Sequence, residues 1–356
     1  MVINGVVSPL IKILGLDIGG ANIKAALITY YDGEIQNIRT KAIYFPIWKR
    51  RNELLSLLRQ LRVEFCDNDL DSVGLVMTAE LSDVYRTKRE GVLDILKITE
   101  TAFENISIHT IDIFGKMRDI EEALLSPLNF AAANWCATSK LVAETFSTGV
   151  FIDTGSTTTD IIPFQDGNVL TFGKNDLDRL ISGELVYTGA LRTNVAAIVT
   201  HVPVKNRLVR ICPEYFAISA DVHLVLGHIT SGDYSCETPD GRGKTKEYAL
   251  ERLARTICAD IELLETEELE NIAQYVYLKQ VTEISNGIDR VITNEMNNID
   301  QKLECILTGI GKDFLAKPAA QKGGTKQFHD LDEIWSGDLA LCAPSVAIAI
   351  LTARLY

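Results

Sequence analysis

The order of apolar and polar residues predicts a chain that opens with three strands and a helix. Residues 11–16 are almost all apolar, which indicates a buried strand. Residues 23–30 and 34–45 continue as strands, and Asp32–Gly33 between them is typical of a tight hairpin turn. Residues 54–65 place their leucines on one helical face. The opening therefore mixes strand and helix periods.

The strand pattern restarts near residue 149. Residues 149–153 and 160–164 predict two strands joined by a Gly/Ser/Thr turn, which repeats the strand, Asp-x-Gly turn and strand of the opening. A repeat of this kind predicts two related lobes. We expect an N-terminal lobe over 1–148 and a C-terminal lobe over 149–342, with the last helix, 343–356, packing back on the first lobe.

The remaining segments follow the same two periods. Helices are predicted where apolar residues recur every three or four positions, strands in short apolar runs, and loops where polar residues, Gly and Pro cluster. The predicted helices are 87–104, 128–146, 250–264 and 272–291, the strands are 73–77, 106–111 and 305–308, and the loops are 232–246 and 317–327.

Composition and charge exclude several classes of protein. Of 356 residues, 47% are hydrophobic and 23% charged, which argues against disorder and against a disulfide-stapled mini-protein. The net charge of −13 would repel a phosphate backbone, so no nucleic-acid partner is expected. No apolar run approaches the ~20 residues of a membrane span, and the N-terminus lacks the basic start of a signal peptide. We therefore expect a cytoplasmic protein with no membrane partner.

Cysteines and histidines give no metal signature. The seven cysteines form no C-x-x-C pair, which favours reduced, buried thiols over a disulfide or zinc framework. His223 and His228 lie in a helical pattern with Cys236 downstream, but their spacing matches no standard zinc site. Core or surface histidines are the favoured interpretation, and the role of these three residues is left open.

A carboxylate and two glycines follow the first strand, in the segment DIGGANIK at 17–24. The glycines let backbone N–H groups point at an anion, Lys24 adds a positive charge, and Asp17 could hold Mg²⁺. An ordinary hairpin turn is the alternative. The candidate phosphate-binding residues here are Gly19, Gly20 and Asn22.

The segment DTGSTTTD at 153–160 has the same design with four consecutive hydroxyls. Backbone N–H groups and hydroxyls can surround phosphate oxygens, and Asp153 could hold the same metal. A threonine-rich β-turn is the alternative. The candidate phosphate-binding residues here are Gly155, Ser156, Thr157, Thr158 and Thr159.

A third glycine motif, LTGIGK at 307–312, lies between a predicted strand and a helix. Gly309 and Gly311 would permit close approach of a ligand to a helix N-terminus. The motif falls short of G-x-G-x-x-G, so a turn entering the helix is the alternative.

In this order the motifs resemble those of the sugar kinase/Hsp70/actin superfamily. Its two phosphate loops match 13–28 and 151–164, and its adenosine loop matches 306–311. The resemblance implies an α/β fold class with two ribonuclease-H-like lobes, the actin-like ATPase fold, and a site in the cleft between the lobes.

Other segments resemble the hydantoinase A/oxoprolinase branch of this superfamily. At this length the pattern is most similar to an archaeal family once labelled a tetrahydromethanopterin-linked C1-transfer protein and later tied to methanofuran biosynthesis. The segments that carry the likeness are 78–83, 89–92, 132–135, 183–189 with Arg192-Thr193, 220–223 and 238–242.

The resemblance implies a transferase acting on small molecules. It would join (5-aminomethyl-furan-3-yl)methyl diphosphate to γ-glutamyltyramine and release diphosphate. Mg²⁺ or another divalent cation would be held by Asp17 and Asp153, with Lys24 also in the chemistry. ATP is not expected to be required, since the loop at 309–311 is shorter than usual adenosine loops.

Three further residues are candidates for substrate contact or catalysis. Glu80 follows a buried strand, a position that often lines a site in α/β folds, and could accept the phenol proton. Arg192 could pair with diphosphate or with the glutamyl carboxylate, and Asn134 could contact substrate. The alternatives are a helix N-cap region for Glu80, a structural ion pair for Arg192 and a core helix around Asn134.

Two other functions stay open at this stage. One is an ATP-dependent kinase or amidohydrolase of the same superfamily, and the other is a nucleotide-sensing protein that is not an enzyme. A requirement for ATP would indicate the first, and tight nucleotide binding without turnover would indicate the second. A homo-oligomer is compatible with the sequence but is not indicated by it.

Overall fold

The computed structural model describes residues 10–66, 69–296, 303–325, 327–335 and 337–356. The chain divides into two compact units, Met1–Thr145 with Trp335–Tyr356, and Phe146–Ile334.

Residues 335–342 were expected in the second lobe, but they belong to the first unit. Trp335, Leu339 and Cys342 pack in an apolar cluster with Ala26 of the first sheet and Val346 of the last helix. This apolar contact holds the segment beside the strand that it covers.

Two larger sheets and one hairpin contain the strands. The first sheet has the order β3-β2-β1-β4-β5-β6, the second has the order β10-β8-β7-β13-β14 with β9 on β8, and β11 pairs with β12. The strands are β1 Ile11–Ile18, β2 Asn22–Tyr31, β3 Glu34–Tyr44, β4 Ser72–Met77, β5 Ser107–Ile111, β6 Met117–Asp119, β7 Gly149–Thr154, β8 Thr159–Gln165, β9 Asn168–Val169, β10 Leu185–Val186, β11 His201–Val204, β12 Arg207–Arg210, β13 Glu304–Thr308 and β14 Gln327–Asp330.

Helices cover the sheets of both units. They are α1 Ile47–Arg50, α2 Leu54–Cys66, α3 Lys88–Ala102, α4 Ile120–Leu125, α5 Asn134–Thr145, α6 Asp176–Ser182, α7 Val195–Ile198, α8 Ser219–Val225, α9 Lys246–Arg255, α10 Thr266–Glu295, α11 Lys317–Lys322, α12 Leu331–Trp335, α13 Gly337–Leu341 and α14 Ala343–Ala353. Every helix among the described residues falls short of the length and apolar character that a bilayer crossing requires.

The two larger sheets repeat one strand arrangement. In the first, β1 pairs antiparallel with β2 and parallel with β4. In the second, β7 pairs antiparallel with β8 and parallel with β13. Turns at Asp32–Gly33 and Asp166–Gly167 follow β2 and β8, and all four residues have positive φ. The predicted repeat of strand, turn and strand is therefore confirmed within each unit.

The last helix lies directly on the first sheet. A Cβ at Gly15 of β1 would lie 1.9 Å from the Ser345 carbonyl oxygen, and one at Gly74 of β4 would lie 2.8 Å from the Ile348 carbonyl oxygen. Only glycine allows the backbones of sheet and helix to approach so closely. These contacts fix α14 over β1, which leads to the first glycine motif, and over its neighbour β4.

Three element boundaries differ from the sequence prediction. The expected loop at 317–327 begins with α11, which continues a π-helical turn at Lys312–Ala316. The helix expected over 250–264 ends at Arg255, and the helix expected over 128–146 begins at Asn134, after a 3-10 turn. For the two helices, apolar spacing extended beyond the observed helix end, whereas α11 forms where polar residues, Gly and Pro had predicted a loop.

Candidate functional site

The two Asp-x-Gly motifs form turns with the same backbone hydrogen bond. The N–H of Gly19 donates to the Asn22 carbonyl at 2.9 Å, and the N–H of Gly155 donates to the Thr158 carbonyl at 2.9 Å. We call residues 17–24 the first turn and residues 153–160 the second turn. Each begins with an aspartate at the end of the central strand of its sheet.

Asp17 of the first turn is a buried carboxylate. It is 5% exposed, and its Oδ1 atom has no hydrogen-bond partner among the described residues. Burial raises the pKa of Asp17 to about 6, although Lys24, its cross-strand neighbour, opposes the shift. A buried oxygen without a donor is suited to a divalent cation, which favours oxygen ligands.

The glycines of the first turn differ in their surroundings. A Cβ at Gly19 would lie 2.9 Å from the Asn22 carbonyl oxygen, so a side chain there would strain the turn. A Cβ at Gly20 would meet nothing within 4 Å, which leaves open space beside the backbone. The half-buried Lys24 ammonium makes no ion pair or hydrogen bond with the described part of the chain. The first turn therefore offers an anion both space and positive charge.

Glu80 lies at the end of the strand beside Asp17. The N–H of Thr78 donates to the Ile18 carbonyl at 3.0 Å, which joins the ends of β4 and β1. Glu80 follows in a 3-10 turn and is 1% exposed. Helix α3 packs on it so closely that a Cβ at Gly91 would lie 2.5 Å from the Glu80 carbonyl oxygen. The carboxyl is thus at the expected edge of the sheet, and its role as a base stays a prediction.

Asn134 is the first residue of α5 and is half-buried, whereas its neighbour Trp135 is 4% exposed. The apolar surroundings of Trp135 favour a core role for that ring. A substrate contact by Asn134 stays a prediction.

The segment 189–192 packs against the second turn and is hydrogen-bonded to it. The Ser156 carbonyl accepts N–H bonds from Leu191 at 3.0 Å and Arg192 at 2.9 Å. The Arg192 Nη1 atom donates to the Thr157 hydroxyl at 3.2 Å. A Cβ at Gly189 would lie 2.6 Å from the Thr157 backbone. Arg192 is therefore attached to the second turn, as its predicted role in anion binding requires.

The four hydroxyls of the second turn do not share one environment. Ser156, Thr157 and Thr158 are half-buried, whereas Thr159 is fully buried and donates to the Thr188 carbonyl at 2.9 Å. This corrects the assignment of Thr159 to diphosphate binding, because strand alternation turns its hydroxyl into the protein.

Gly309 and Gly311 of the third glycine motif pack against the second turn. Gly309 has φ of +87°, and a Cβ there would lie 2.5 Å from Asp153 Oδ1. A Cβ at Gly311 would lie 2.3 Å from Thr154 Cγ2, and the Gly311 N–H donates to the Thr154 carbonyl at 2.9 Å. Contact with the second turn is therefore sufficient to account for both glycines without an adenosine ligand.

The residue equivalent to Lys24 in the second turn is Asp160. It is in register with Asp153, as Lys24 is with Asp17. The Arg179 guanidinium pairs with it at 2.8 Å and also donates to the Glu184 carbonyl at 3.2 Å. Burial raises the pKa of Asp160, and the arginine opposes this. An internal ion pair thus neutralises charge in the second turn.

Gln280 of α10 supports the second turn, a role that the sequence did not indicate. Its Nε2 atom donates to the Thr188 hydroxyl at 2.8 Å and to the Gly189 carbonyl at 3.0 Å. Its Oε1 atom lies 3.1 Å from His223 Nε2. Gln280 fell inside an apolar helical stripe, and only the tertiary contact gives it a partner 91 residues away.

The proton positions in this network follow from the Gly189 carbonyl. A carbonyl can only accept, so the Gln280 amide nitrogen must face it and Oε1 must face His223. His223 Nε2 therefore carries a hydrogen, and its Nδ1 accepts from His228 Nδ1 at 3.1 Å. Burial lowers the pKa of His223 to about 3, which keeps it neutral. The two histidines are core residues of this network, and the described residues contain no cluster of three or more potential metal ligands.

Comparison with known proteins identifies relatives over nearly the whole chain. The family model described as Hydantoinase/oxoprolinase matches residues 71–355. A protein of Methanocaldococcus jannaschii named (4-{4-[2-(gamma-L-glutamylamino)ethyl]phenoxymethyl}furan-2-yl)methanamine synthase is 41% identical over 95% of this chain and 97% of its own length. A protein of Methanococcus vannielii with the same name is 34% identical over 57% of this chain and 89% of its own.

Among solved structures, the nucleotide-free structure of acetone carboxylase is similar in fold. It has a TM-score of 0.58 at 9% identity, covering 96% of this chain and 70% of that one. At this identity the likeness concerns the fold alone. It confirms the α/β class expected from the sequence.

Proposed function

The chain belongs to the hydantoinase/oxoprolinase family, and we propose that it acts as a furan-methanamine synthase of methanofuran biosynthesis. The observation that carries this proposal is 41% identity along 95% of the chain to the M. jannaschii enzyme of that name. The protein is thus a transferase that forms an aryl ether from small-molecule substrates, and we propose that it does so in the cytoplasm.

We propose that the substrates are (5-aminomethyl-furan-3-yl)methyl diphosphate and γ-glutamyltyramine. The bond between the furanylmethyl carbon and the diphosphate oxygen breaks, and its electron pair leaves with diphosphate. The phenol oxygen then bonds to that carbon and loses its proton. Because the furan ring donates electrons to the adjacent cation, departure can precede attack, and the main task is to stabilise charge on the leaving group.

In this proposal each turn offers groups of the kind that bind phosphate oxygens. Lys24 has no ion-pair partner among the described residues, so its charge is available to the leaving group. The half-buried hydroxyls of Ser156, Thr157 and Thr158, with Arg192 behind Thr157, are donors of the kind that surround phosphate oxygens.

A divalent cation fits the residues of the first turn, because the buried Asp17 Oδ1 lacks a donor among the described residues and Gly20 leaves open space. We propose that Asp17 holds it, and Asp153 as a further ligand stays a prediction from the sequence. When bound, the cation would neutralise charge on the departing oxygens. Mg²⁺ commonly uses one or two carboxylates together with substrate phosphates, so no larger cluster is needed.

Glu80 is our candidate for the base that takes the phenol proton. It lies at the end of β4, next to the strand that carries Asp17. Because its side chain is 1% exposed, it can accept this proton only if bound substrate reaches the edge of the sheet.

The test is product formation without nucleotide. Purified protein is incubated with both substrates and Mg²⁺, and ether and diphosphate are quantified. We expect equal amounts of both products, no effect of added ATP, and loss of activity with a chelator. Strict dependence on ATP would instead favour a kinase or amidohydrolase. Tight nucleotide binding without turnover of either substrate would favour a sensor.

A further inference from the structure

Two thiols meet at the surface of the second unit. Cys212 follows β12 and Cys258 follows α9, and their Sγ atoms lie 3.1 Å apart. Cys258 is exposed and Cys212 is half-buried, whereas Cys136, Cys236 and Cys305 are buried. A disulfide bond of about 2.05 Å would need the sulfurs to approach by only about 1 Å.

The backbone already joins the two segments. The N–H of Cys212 donates to the Thr256 carbonyl at 2.8 Å, two residues before Cys258. The N–H of Cys258 donates to the Arg255 carbonyl at 3.0 Å, in the turn that ends α9. Main-chain bonds therefore fix both attachment points near each other, which brings the two thiols together.

Cys258 also occupies a backbone conformation that suits glycine. Its φ is +56°, in the left-handed region, where a Cβ is unfavourable and where helices commonly end in glycine. Any residue with a Cβ at this position has a conformational cost that glycine avoids. The cysteine side chain thus occupies a strained position beside another thiol, an observation independent of the sulfur contact itself.

We propose that Cys212 and Cys258 form a disulfide that clamps the end of α9 to the end of β12. The oxidant is a low-molecular-weight disulfide, RSSR. One cysteine thiolate attacks it and releases RS⁻, and the second cysteine then attacks the mixed disulfide and releases another RS⁻. The balance is two cysteine thiols and RSSR giving the protein disulfide and two RSH. The sequence had indicated reduced thiols, because the spacing of these two cysteines gives no sign of the contact.

The clamp would close a loop that contains α8 and α9. Within it the buried Arg252 pairs with Asp221 at 2.7 Å, which already ties α9 to α8. Closing a loop whose ends are 46 positions apart restricts the unfolded chain and so favours the folded state. The effect is separate from the proposed synthase reaction, which uses neither thiol.

The covalent bond can be tested by mass spectrometry. The reduced protein is incubated with oxidised glutathione, remaining thiols are alkylated, and the protein is digested without reductant. We expect an intact mass about 2 Da lower and one cross-linked peptide pair containing Cys212 and Cys258. Stable glutathione adducts on either residue, or full alkylation of both, would overturn the proposal.

Melting temperatures test whether the bond is a clamp. We expect reductant to lower the Tm of the oxidised wild-type protein by about 5 °C and to leave Cys212→Ser and Cys258→Ser unchanged. Cys258→Gly should also be insensitive to reductant, but should melt at or above reduced wild type because it relieves the backbone. A cross-link without a Tm change would overturn the clamp, and a reductant-sensitive Tm in Cys212→Ser would assign the effect to other cysteines.

Discussion

The first and second turns share a backbone hydrogen bond but differ in the charge of the residue opposite the leading aspartate. Each closes with a glycine N–H bond of 2.9 Å and follows the central strand of its sheet. Opposite its leading aspartate, however, the first turn has Lys24, and the second has Asp160 neutralised by Arg179. The repeated fold therefore supplies the backbone donors twice, and we propose that the side chains of the first turn serve catalysis and those of the second hold an anion.

The two turns also differ in how the surrounding residues support them. Asp17 is buried with an oxygen that lacks a hydrogen bond among the described residues, which is costly in the absence of a ligand. The second turn is instead held by Gly189, Arg192 and Gln280, whose bonds are present without any ligand. Strain is concentrated in the turn that we assign to the chemistry, and rigidity in the turn that we assign to binding.

Among the substitutions that test this comparison, Asp17→Asn should have the largest effect. Loss of a metal-binding carboxylate should lower kcat/KM by about 10³-fold or more, since a bound cation contributes several kcal/mol. The pKa of Asp17 is about 6 in the fold against an ordinary value of 3.8, so its contribution to stability is present below pH 4 and is lost as pH rises through 6.

Without ligand, the Asp17→Asn variant should therefore be about 2–3 kcal/mol more stable to unfolding than wild type at pH 8, with the advantage vanishing below pH 4. Denaturant unfolding at both pH values, with chelator present, measures this. Equal stability at pH 8 would show that the buried carboxylate carries no desolvation cost.

Arg179→Met should chiefly affect stability. It leaves the Asp160 carboxylate without its buried partner, and such losses cost about 3–5 kcal/mol. We expect an unfolding free energy at least about 3 kcal/mol lower, whereas Lys24→Met in the first turn should change it by under about 1 kcal/mol. The double variant Asp160→Asn with Arg179→Met should recover part of the loss. Equal destabilisation by the substitutions at Arg179 and Lys24 would remove the distinction between the two turns.

Gln280→Met should loosen the second turn, and its effect should be smaller than those of the preceding substitutions. The substitution keeps the shape but removes both donors to the segment 188–189, and a lost hydrogen bond of about 1.4 kcal/mol corresponds to a tenfold rise in KM for the diphosphate ester. Gln274→Met is the matched control, because Gln274 is exposed on the same helix. Identical kinetics for both variants would show that Gln280 and the histidine network do not support the second turn.

Much of the first turn could be predicted from the sequence because its chemistry is local. Asp17, Gly19 and Lys24 lie within eight positions, so strand alternation and turn geometry bring them together without tertiary information. The inward direction of the Thr159 side chain also follows from strand alternation. The sequence has four consecutive hydroxyl residues, however, and does not show at which of them the strand begins.

The supports of the second turn could not be predicted. Arg192 reaches it across 35 positions through a hydrogen bond to Thr157, and Gln280 reaches the segment that supports it across 91 positions through a hydrogen bond to Gly189. A glutamine in an apolar helical stripe has no pattern that distinguishes a structural donor from a surface residue. The packing of Gly309 and Gly311 was hidden for a related reason, since only the fold shows that a side chain at these positions would meet Asp153 and Thr154.

The central claim is that the two turns have different roles. Its most direct test is to measure kcat and KM of Lys24→Met and Thr157→Val with the diphosphate ester. If the first turn stabilises the leaving group, Lys24→Met should lower kcat by about 10²–10³-fold with KM nearly unchanged. If the second turn holds the substrate, Thr157→Val should raise KM by about tenfold with kcat nearly unchanged. The opposite assignment of kcat and KM effects, or wild-type kcat in folded Lys24→Met, would contradict the account.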